Sequence, residues 1–135
     1  MPSSVVKTKT IMTISAYCDI NLDPISADIK NALAYAKQRG YSVLLAADTN
    51  AHSVLWGKET NRRGQEVEDF ISTENLTIHN IGREYTFECA TGKSIIDVTM
   101  SHNLKLKLNN WRVCKKFNGS DHNTIIFFFL TGAPP

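Results

Sequence analysis

Residues 41–50 read YSVLLAADTN, a continuous run of apolar residues that stops at the carboxylate of Asp48. An apolar run of this length without alternation is typical of a strand covered on both faces. Just before it, apolar residues recur at helical spacing over residues 28–39, and Gly40 ends the pattern. This order of helix and strand predicts an α/β layer in which residues 41–47 form a central strand.

The other predicted elements extend this layer along the chain. Residues 11–17 alternate as a strand, and a second helix with an apolar stripe is predicted after Gly64. The run 125–130 is far too short to span a membrane, so we expect a buried strand. Further strands are predicted at 85–89, 94–100, 111–113 and 124–130, with a hairpin turn at 91–93.

The segment 48–63 shows no regular period and is predicted to be a long loop. A long loop in a compact domain is more often functional than idle. Trp56 is expected to anchor this loop by packing, in preference to stacking on a base.

Composition places the chain among ordinary globular proteins. Its 135 residues, 42% of them hydrophobic, fit a single domain over residues 1–135 with a sizeable core. The net charge of +2 is too small to indicate a nucleic-acid partner by itself. The three cysteines are scattered and no signal sequence is visible, so we expect reduced thiols, an intracellular location and no membrane attachment.

Asp48 and Asn50 follow the central strand. Because successive side chains of a strand point to opposite faces, residues two apart such as these can project to the same face. A carboxylate next to an amide suits a phosphate, because the acid moves a proton while the amide holds an oxygen. The same D-x-N pattern is also common in turns, and taken alone the turn is the simpler interpretation.

Asp97 lies inside a predicted strand, where a buried carboxylate needs a partner because unpaired burial is costly. One alternative is a backbone amide or a lysine. The other is the Nδ1 proton of His122, an arrangement that leaves Nε2 free to face a phosphate.

Residues 120–122 read SDH at the entry of the last predicted strand. Asp121 offers the oxygen ligands that Mg²⁺ prefers, and a bound ion would stabilise charge on a phosphate. A single Ser-Asp pair is also a common turn opener. Three strand ends that each bring a carboxylate, an amide or an imidazole nevertheless indicate metal-assisted hydrolysis of a phosphoester.

Several segments taken together resemble the endonuclease/exonuclease/phosphatase superfamily, which includes deoxyribonuclease I and the apurinic endonucleases. Within it, the chain is most similar to the endonuclease domain of arthropod non-LTR retrotransposons. The segments that carry the resemblance are LAADTNAHS at 45–53, LWG at 55–57, NRRG at 61–64, YTF at 85–87, SIIDVT at 94–99, WRV at 111–113 and SDH at 120–122.

The resemblance implies a fold and a role for each matching residue. The expected fold is α/β (α+β), a β-sandwich flanked by helices in four layers, of which this chain supplies about the C-terminal half. Asp48 would be the acid/base group and Asn50 would bind phosphate. Asp97 would orient His122, and Asp121 would help to bind metal or to position that histidine. The other residues given a role are Tyr17, which reaches the scissile phosphate, and Asn61, Arg62, Arg63 and Ser120, which contact DNA.

Two positions depart from the family pattern. Ala47 stands where the family has glycine. The family's principal metal-binding Glu is also absent, because residues 1–17 contain no carboxylate at all. We therefore expect a domain truncated at its N-terminus, with an apolar sheet face that binds a missing N-terminal segment or drives self-association.

The resemblance implies Mg²⁺-dependent nicking of DNA in the nucleus, which leaves a 3′-hydroxyl for reverse transcription. One alternative is a catalytically inactive remnant that binds DNA or a protein. Another is hydrolysis of a different phosphoester, such as a phosphoinositide or a nucleotide.

Overall fold

Three β-sheets and two helices organise residues 10–130, the part of the chain that the computed structural model describes. The strands are β1 (Ile11–Tyr17), β2 (Ser42–Asp48), β3 (Thr77–Ile78), β4 (Phe87–Cys89), β5 (Gly92–Ser94), β6 (Asp97–His102), β7 (Lys107–Cys114) and β8 (Thr124–Leu130). The helices are α1 (Ala27–Gln38) and α2 (Arg62–Glu74).

The main sheet has four strands in the order β1-β2-β6-β3. Strand β2 pairs in parallel with β1 and antiparallel with β6, so it is central, as predicted from its apolar run. Helix α1 connects β1 to β2, which is the crossover that a parallel pair requires. The other two sheets are two-stranded ribbons, β4–β5 and β7–β8.

The hydrophobic core lies between the main sheet and the two helices. Val43 and Leu45 of β2 are almost completely buried on this face. They belong to a cluster that includes three residues from each helix. The contributing residues are Ile29, Leu33 and Ala36 of α1 and Val67, Phe70 and Ile71 of α2.

The opposite face of the main sheet is covered only in part, by the β7–β8 ribbon. Trp111 of β7 is buried, and its Nε1 donates a hydrogen bond to Oγ1 of Thr99 at 3.0 Å. Ala46 of β2 is exposed on this face, so the expectation of a strand covered on both faces holds for all of the central run except this position.

The strand predicted at 94–100 is interrupted. Ile95 and Ile96 separate β5 from β6, and the backbone groups of Ile96 bond to Thr49 and Thr86. Its carbonyl accepts from Oγ1 of Thr49 at 2.8 Å, and its N–H donates to Oγ1 of Thr86 at 3.0 Å. The hairpin turn predicted before it is confirmed as the β4–β5 connection.

The prediction that residues 125–130 form a buried strand is wrong in its burial. The strand β8 is present, but none of its residues is buried, and Phe128 is 47% exposed. Within the described residues, β8 pairs with β7 alone, so its other edge has no neighbouring strand. None of the helices among residues 10–130 is long and apolar enough to cross a membrane.

Helix α2 begins against the loop that follows β2. Oδ1 of Asn61, the N-cap residue, accepts from the N–H of Gly64 at 2.7 Å and from the N–H of His52 at 3.2 Å. A Cβ at position 64 would lie 1.6 Å from the carbonyl oxygen of His52. Only glycine therefore allows the loop backbone to approach the helix this closely.

We expect Gly64→Ala to lower the free energy of unfolding by about 2 kcal/mol, because the methyl group forces the loop away from the helix. Urea unfolding followed by circular dichroism measures the change. Gly92→Ala is the matched control, since a Cβ at position 92 meets nothing within 4 Å. Equal stability of the two variants would contradict this account of the close approach.

Candidate functional site

The strand register of the main sheet brings three predicted site residues to one edge. Asp48 ends β2 and lies opposite Asp97, the first residue of β6. On its other side Asp48 is in register with Tyr17, the last residue of β1. Residues in register on adjacent strands project to the same face, so the three side chains share one surface.

His122 completes this cluster from a different part of the chain. It forms an isolated β-bridge with Phe87, and the two rings meet edge to face at 5.0 Å between centroids. Its Nδ1 lies 2.9 Å from Oδ2 of Asp97, and its Nε2 lies 3.5 Å from Oδ2 of Asp48. The imidazole therefore lies between two carboxylates and can exchange a proton with either.

The two carboxylates are well shielded, whereas the imidazole is open to solvent. The side chains of Asp48 and Asp97 are 14% and 17% exposed, and that of His122 is 38% exposed. Burial raises the pKa of Asp48, and the nearby charge of Asp97 raises it further. His122, the N–H of Asn50 and the charge of Arg63 oppose that increase. Asp48 thus retains a proton more readily than an ordinary aspartate.

Asn50 links the segments that follow β1 and β2 next to the cluster. Its backbone has a φ of 49°, a left-handed conformation that asparagine tolerates better than most residues. Its N–H donates to Oδ1 of Asp48 at 3.2 Å, and its Nδ2 donates to the carbonyl of Cys18 at 3.0 Å. Asn50 therefore joins the segment after Tyr17 to the segment after Asp48. The Tyr17 side chain itself is 70% exposed.

The residues predicted to contact DNA differ in their surroundings. Asn61 caps α2, and among residues 10–130 the guanidinium of Arg63 donates only to backbone carbonyls. Arg62 is exposed. Ser120 is also exposed, and its Oγ accepts from the N–H of His122 at 3.1 Å. Contact of these four residues with DNA remains a prediction.

Three residues that sequence reasoning missed hold the start of β6 in place. Oγ1 of Thr86, which is fully buried, accepts from the N–H of Ile96 and the N–H of Asp97 at 3.0 and 3.1 Å. Nδ2 of Asn80 donates to the carbonyl of Asp97 at 3.0 Å. The N–H of Asn123 donates to the carbonyl of Thr86 at 2.7 Å. Thr86 lies within the YTF segment, but the role of its hydroxyl depends on contacts distant in sequence.

The donor set of this cluster fits a divalent cation. Asp48, Asp97 and His122 each offer one ligand atom, and these atoms lie within 4.8 Å of one another. Carboxylate oxygens are the ligands that Mg²⁺ prefers, whereas imidazole suits softer metals. Asp121, the predicted metal ligand, has an exposed side chain outside this group, and its metal role remains a prediction.

Comparison with known proteins agrees with the geometry. A family model described as endonuclease-reverse transcriptase matches residues 11–126. Among solved structures, the chain is similar to the endonuclease domain of TRAS1, a telomere-specific non-LTR retrotransposon, with a TM-score of 0.72 and 27% sequence identity. The match covers 87% of this chain and 56% of that chain. No curated protein matches significantly. These matches confirm the resemblance and the α/β (α+β) fold class predicted from sequence.

We expect Thr86→Val to lower the free energy of unfolding by about 2 kcal/mol, because an isosteric methyl leaves two buried N–H groups without an acceptor. Chemical denaturation of the variant and the wild-type protein measures the decrease. Thr77→Val is the control, because Thr77 is exposed on a strand and makes no such side-chain bond. A Thr86→Val variant as stable as Thr77→Val would show that the hydroxyl does not hold the start of β6.

Proposed function

The chain belongs to the endonuclease-reverse transcriptase family, and from this premise we propose that it hydrolyses a phosphodiester bond of DNA. The observation that carries the proposal is the 2.9 Å contact between Nδ1 of His122 and Oδ2 of Asp97. That contact orients an imidazole whose other nitrogen faces a second carboxylate. Such an arrangement suits proton transfer at a phosphate.

His122 is proposed as the general base. Asp97 accepts the Nδ1 proton, which leaves Nε2 free to take a proton from an attacking water molecule. The water oxygen forms the new bond to phosphorus as the proton moves to Nε2. The Asp97 carboxylate then stabilises the imidazolium that results.

Asp48 is proposed as the general acid for the leaving oxygen. Burial raises the pKa of its carboxyl, so it holds the proton that this role requires better than an ordinary aspartate. The bond between phosphorus and the 3′-oxygen breaks, and that oxygen takes the proton from Asp48. The products are a 3′-hydroxyl and a 5′-phosphate. Asn50 and Tyr17, next to Asp48, are proposed to hold the phosphate.

Mg²⁺ is the proposed cofactor, and the carboxylate of Asp97 would help to hold it, since Asp48 must keep its proton to act as the acid. When bound, the ion stabilises the negative charge that develops on the phosphate. Asp121, which follows Ser120 and precedes His122, is proposed to contribute a further carboxylate from its exposed position. Arg62 and Ser120 are proposed to contact the DNA backbone, and the activity would be exercised in the nucleus.

A second candidate function is DNA binding without cleavage. The observation that favours it is the openness of the site, because Tyr17 is 70% exposed and the His122 side chain is 38% exposed. Catalytic sites commonly exclude water, which strengthens the electrostatic interactions inside them. A protein that binds DNA with strong salt dependence and without a metal requirement would fit this second function.

Nicking of supercoiled plasmid in Mg²⁺ tests the proposal. We expect His122→Ala to lower the rate of nicking by a factor of about 100 to 10,000, because the variant has no general base. EDTA should abolish the nicking that wild-type protein performs. His102→Ala is the matched control, since His102 lies at the opposite end of β6 from Asp97 and should leave the rate unchanged.

Nicks made by the wild-type protein should be extended directly by a DNA polymerase, because each carries a 3′-hydroxyl. Nicking that persists in His122→Ala would overturn the proposed mechanism. A folded wild-type protein that binds DNA but never nicks it would favour the second candidate function.

A further inference from the structure

Arg63, in the first turn of α2, directs its guanidinium into the protein. All of its hydrogen-bond acceptors are backbone carbonyl oxygens that belong to two loops. Nε donates to Thr49 at 3.0 Å, Nη1 donates to Leu22 at 2.7 Å and to Ile20 at 3.5 Å, and Nη2 donates to Asp19 at 2.9 Å and to Cys18 at 3.1 Å.

These hydrogen bonds use every donor that the side chain has. A guanidinium carries five N–H groups in a fixed planar fork, and each of the five has an acceptor here. No N–H remains to bind a phosphate oxygen. The charge of Arg63 still acts on its surroundings, but its hydrogen bonds are directed to this chain.

The two loops that Arg63 joins follow the strands that end in Tyr17 and Asp48. Residues 18–22 follow Tyr17 directly, and Thr49 lies between Asp48 and Asn50. The carbonyl of Cys18 accepts from Arg63 and also from Nδ2 of Asn50. A single side chain thus cross-links the segment after β1 to the segment after β2.

The helix that carries Arg63 is itself fixed to the same loop. The N–H of Asn61 donates to the carbonyl of His52 at 3.0 Å, and Oδ1 of Asn61 accepts from the N–H of His52 at 3.2 Å. Gly64 allows this approach because it has no Cβ. These contacts fix the start of α2 to the loop, so the backbone that carries the Arg63 guanidinium is held in place.

We propose that Arg63 is a positioning residue that sets Tyr17, Asp48 and Asn50 relative to one another, and that it does not contact the DNA. This inference rests on the proposed function, because it assigns the three residues to one phosphate. It separates two neighbouring arginines that the sequence presents as equivalent. Arg62 is exposed, and no hydrogen bond or ion pair joins its side chain to any other residue in the range 10–130. Of the two arginines, Arg62 is the one whose guanidinium can bind a phosphate.

Lysine cannot replace Arg63 in this role. Its ammonium has three donors at one point, whereas the five carbonyls surround a planar fork. Arg63→Lys should therefore behave like Arg63→Gln rather than like wild type. For an arginine that acts only through its charge, lysine would instead restore the function.

Salt dependence of DNA binding by the whole chain tests the inference without requiring cleavage. Removal of one side chain that binds a phosphate should reduce the slope of log K against log salt concentration by about 1. We expect that reduction in Arg62→Gln and an unchanged slope in Arg63→Gln. A reduced slope in Arg63→Gln would overturn the inference, because it would show that Arg63 binds DNA directly.

Kinetics of plasmid nicking supply the second test. Arg63→Gln and Arg63→Lys should each lower kcat by about 100-fold with KM unchanged, the size of effect that a misplaced catalytic group produces. Arg63→Ala should regain part of its rate in guanidinium chloride below denaturing concentrations, and ammonium chloride should have no such effect. Unchanged kcat in Arg63→Gln, or full rescue by Arg63→Lys, would overturn the inference.

A wild-type protein that neither nicks nor binds DNA would refute the proposed function but would leave the inference about Arg63 undecided. Amide hydrogen exchange tests the inference in that case. The amides of residues 18–22 and 49–51 should then exchange faster in Arg63→Gln than in Arg62→Gln, while the buried amides of β2 stay protected in both. Equal exchange in the two variants would overturn the inference.

Discussion

The antiparallel register of β2 against β6 is the constraint on which the rest of the site depends. It places Asp48 directly opposite Asp97, so two carboxylates end adjacent strands at the same edge. Because side chains alternate along a strand, a slip of one residue would send one carboxylate to the core face. The pair would repel if both were ionised and left alone, and the imidazole of His122 lies between them.

Two threonine hydroxyls and one backbone hydrogen bond hold this register beyond the last paired residues. The chain leaves the β4–β5 ribbon at Ser94 and joins the main sheet only at Asp97. Between these points, the carbonyl of Ile96 accepts from both the N–H and the hydroxyl of Thr49, and the N–H of Ile96 donates to the hydroxyl of Thr86. The interruption frees the end of β6 from the ribbon, so Asp97 can face Asp48 and His122 together.

The two faces of the main sheet differ in how far they are buried. The helical face holds the buried core, and its helices carry the groups that fix the loops, above all Arg63 and the cap at Asn61. The other face is covered only partly by the β7–β8 ribbon, and the site opens at its edge. Burial on one side therefore holds the loops in place, and the other side leaves the site open to solvent.

The sequence by itself determined the central strand, both helices, the hairpin and the identity of the clustered residues. These features depend on local patterns: an apolar run, helical spacing, and turn residues at the right distance. The family resemblance added the prediction that Asp48, Asp97 and His122 act together, and the structure places ligand atoms of these three within 4.8 Å of one another.

Only the tertiary structure decided what the polar residues around the cluster touch. NRRG presents two adjacent arginines, and no local pattern shows that Arg63 turns inward to five carbonyls while Arg62 stays exposed. The sequence also did not predict the hydrogen bonds of the Thr86 hydroxyl or the solvent exposure of β8. Each depends on partners far along the chain, and hydrogen bonds between distant segments leave no period or spacing in the sequence.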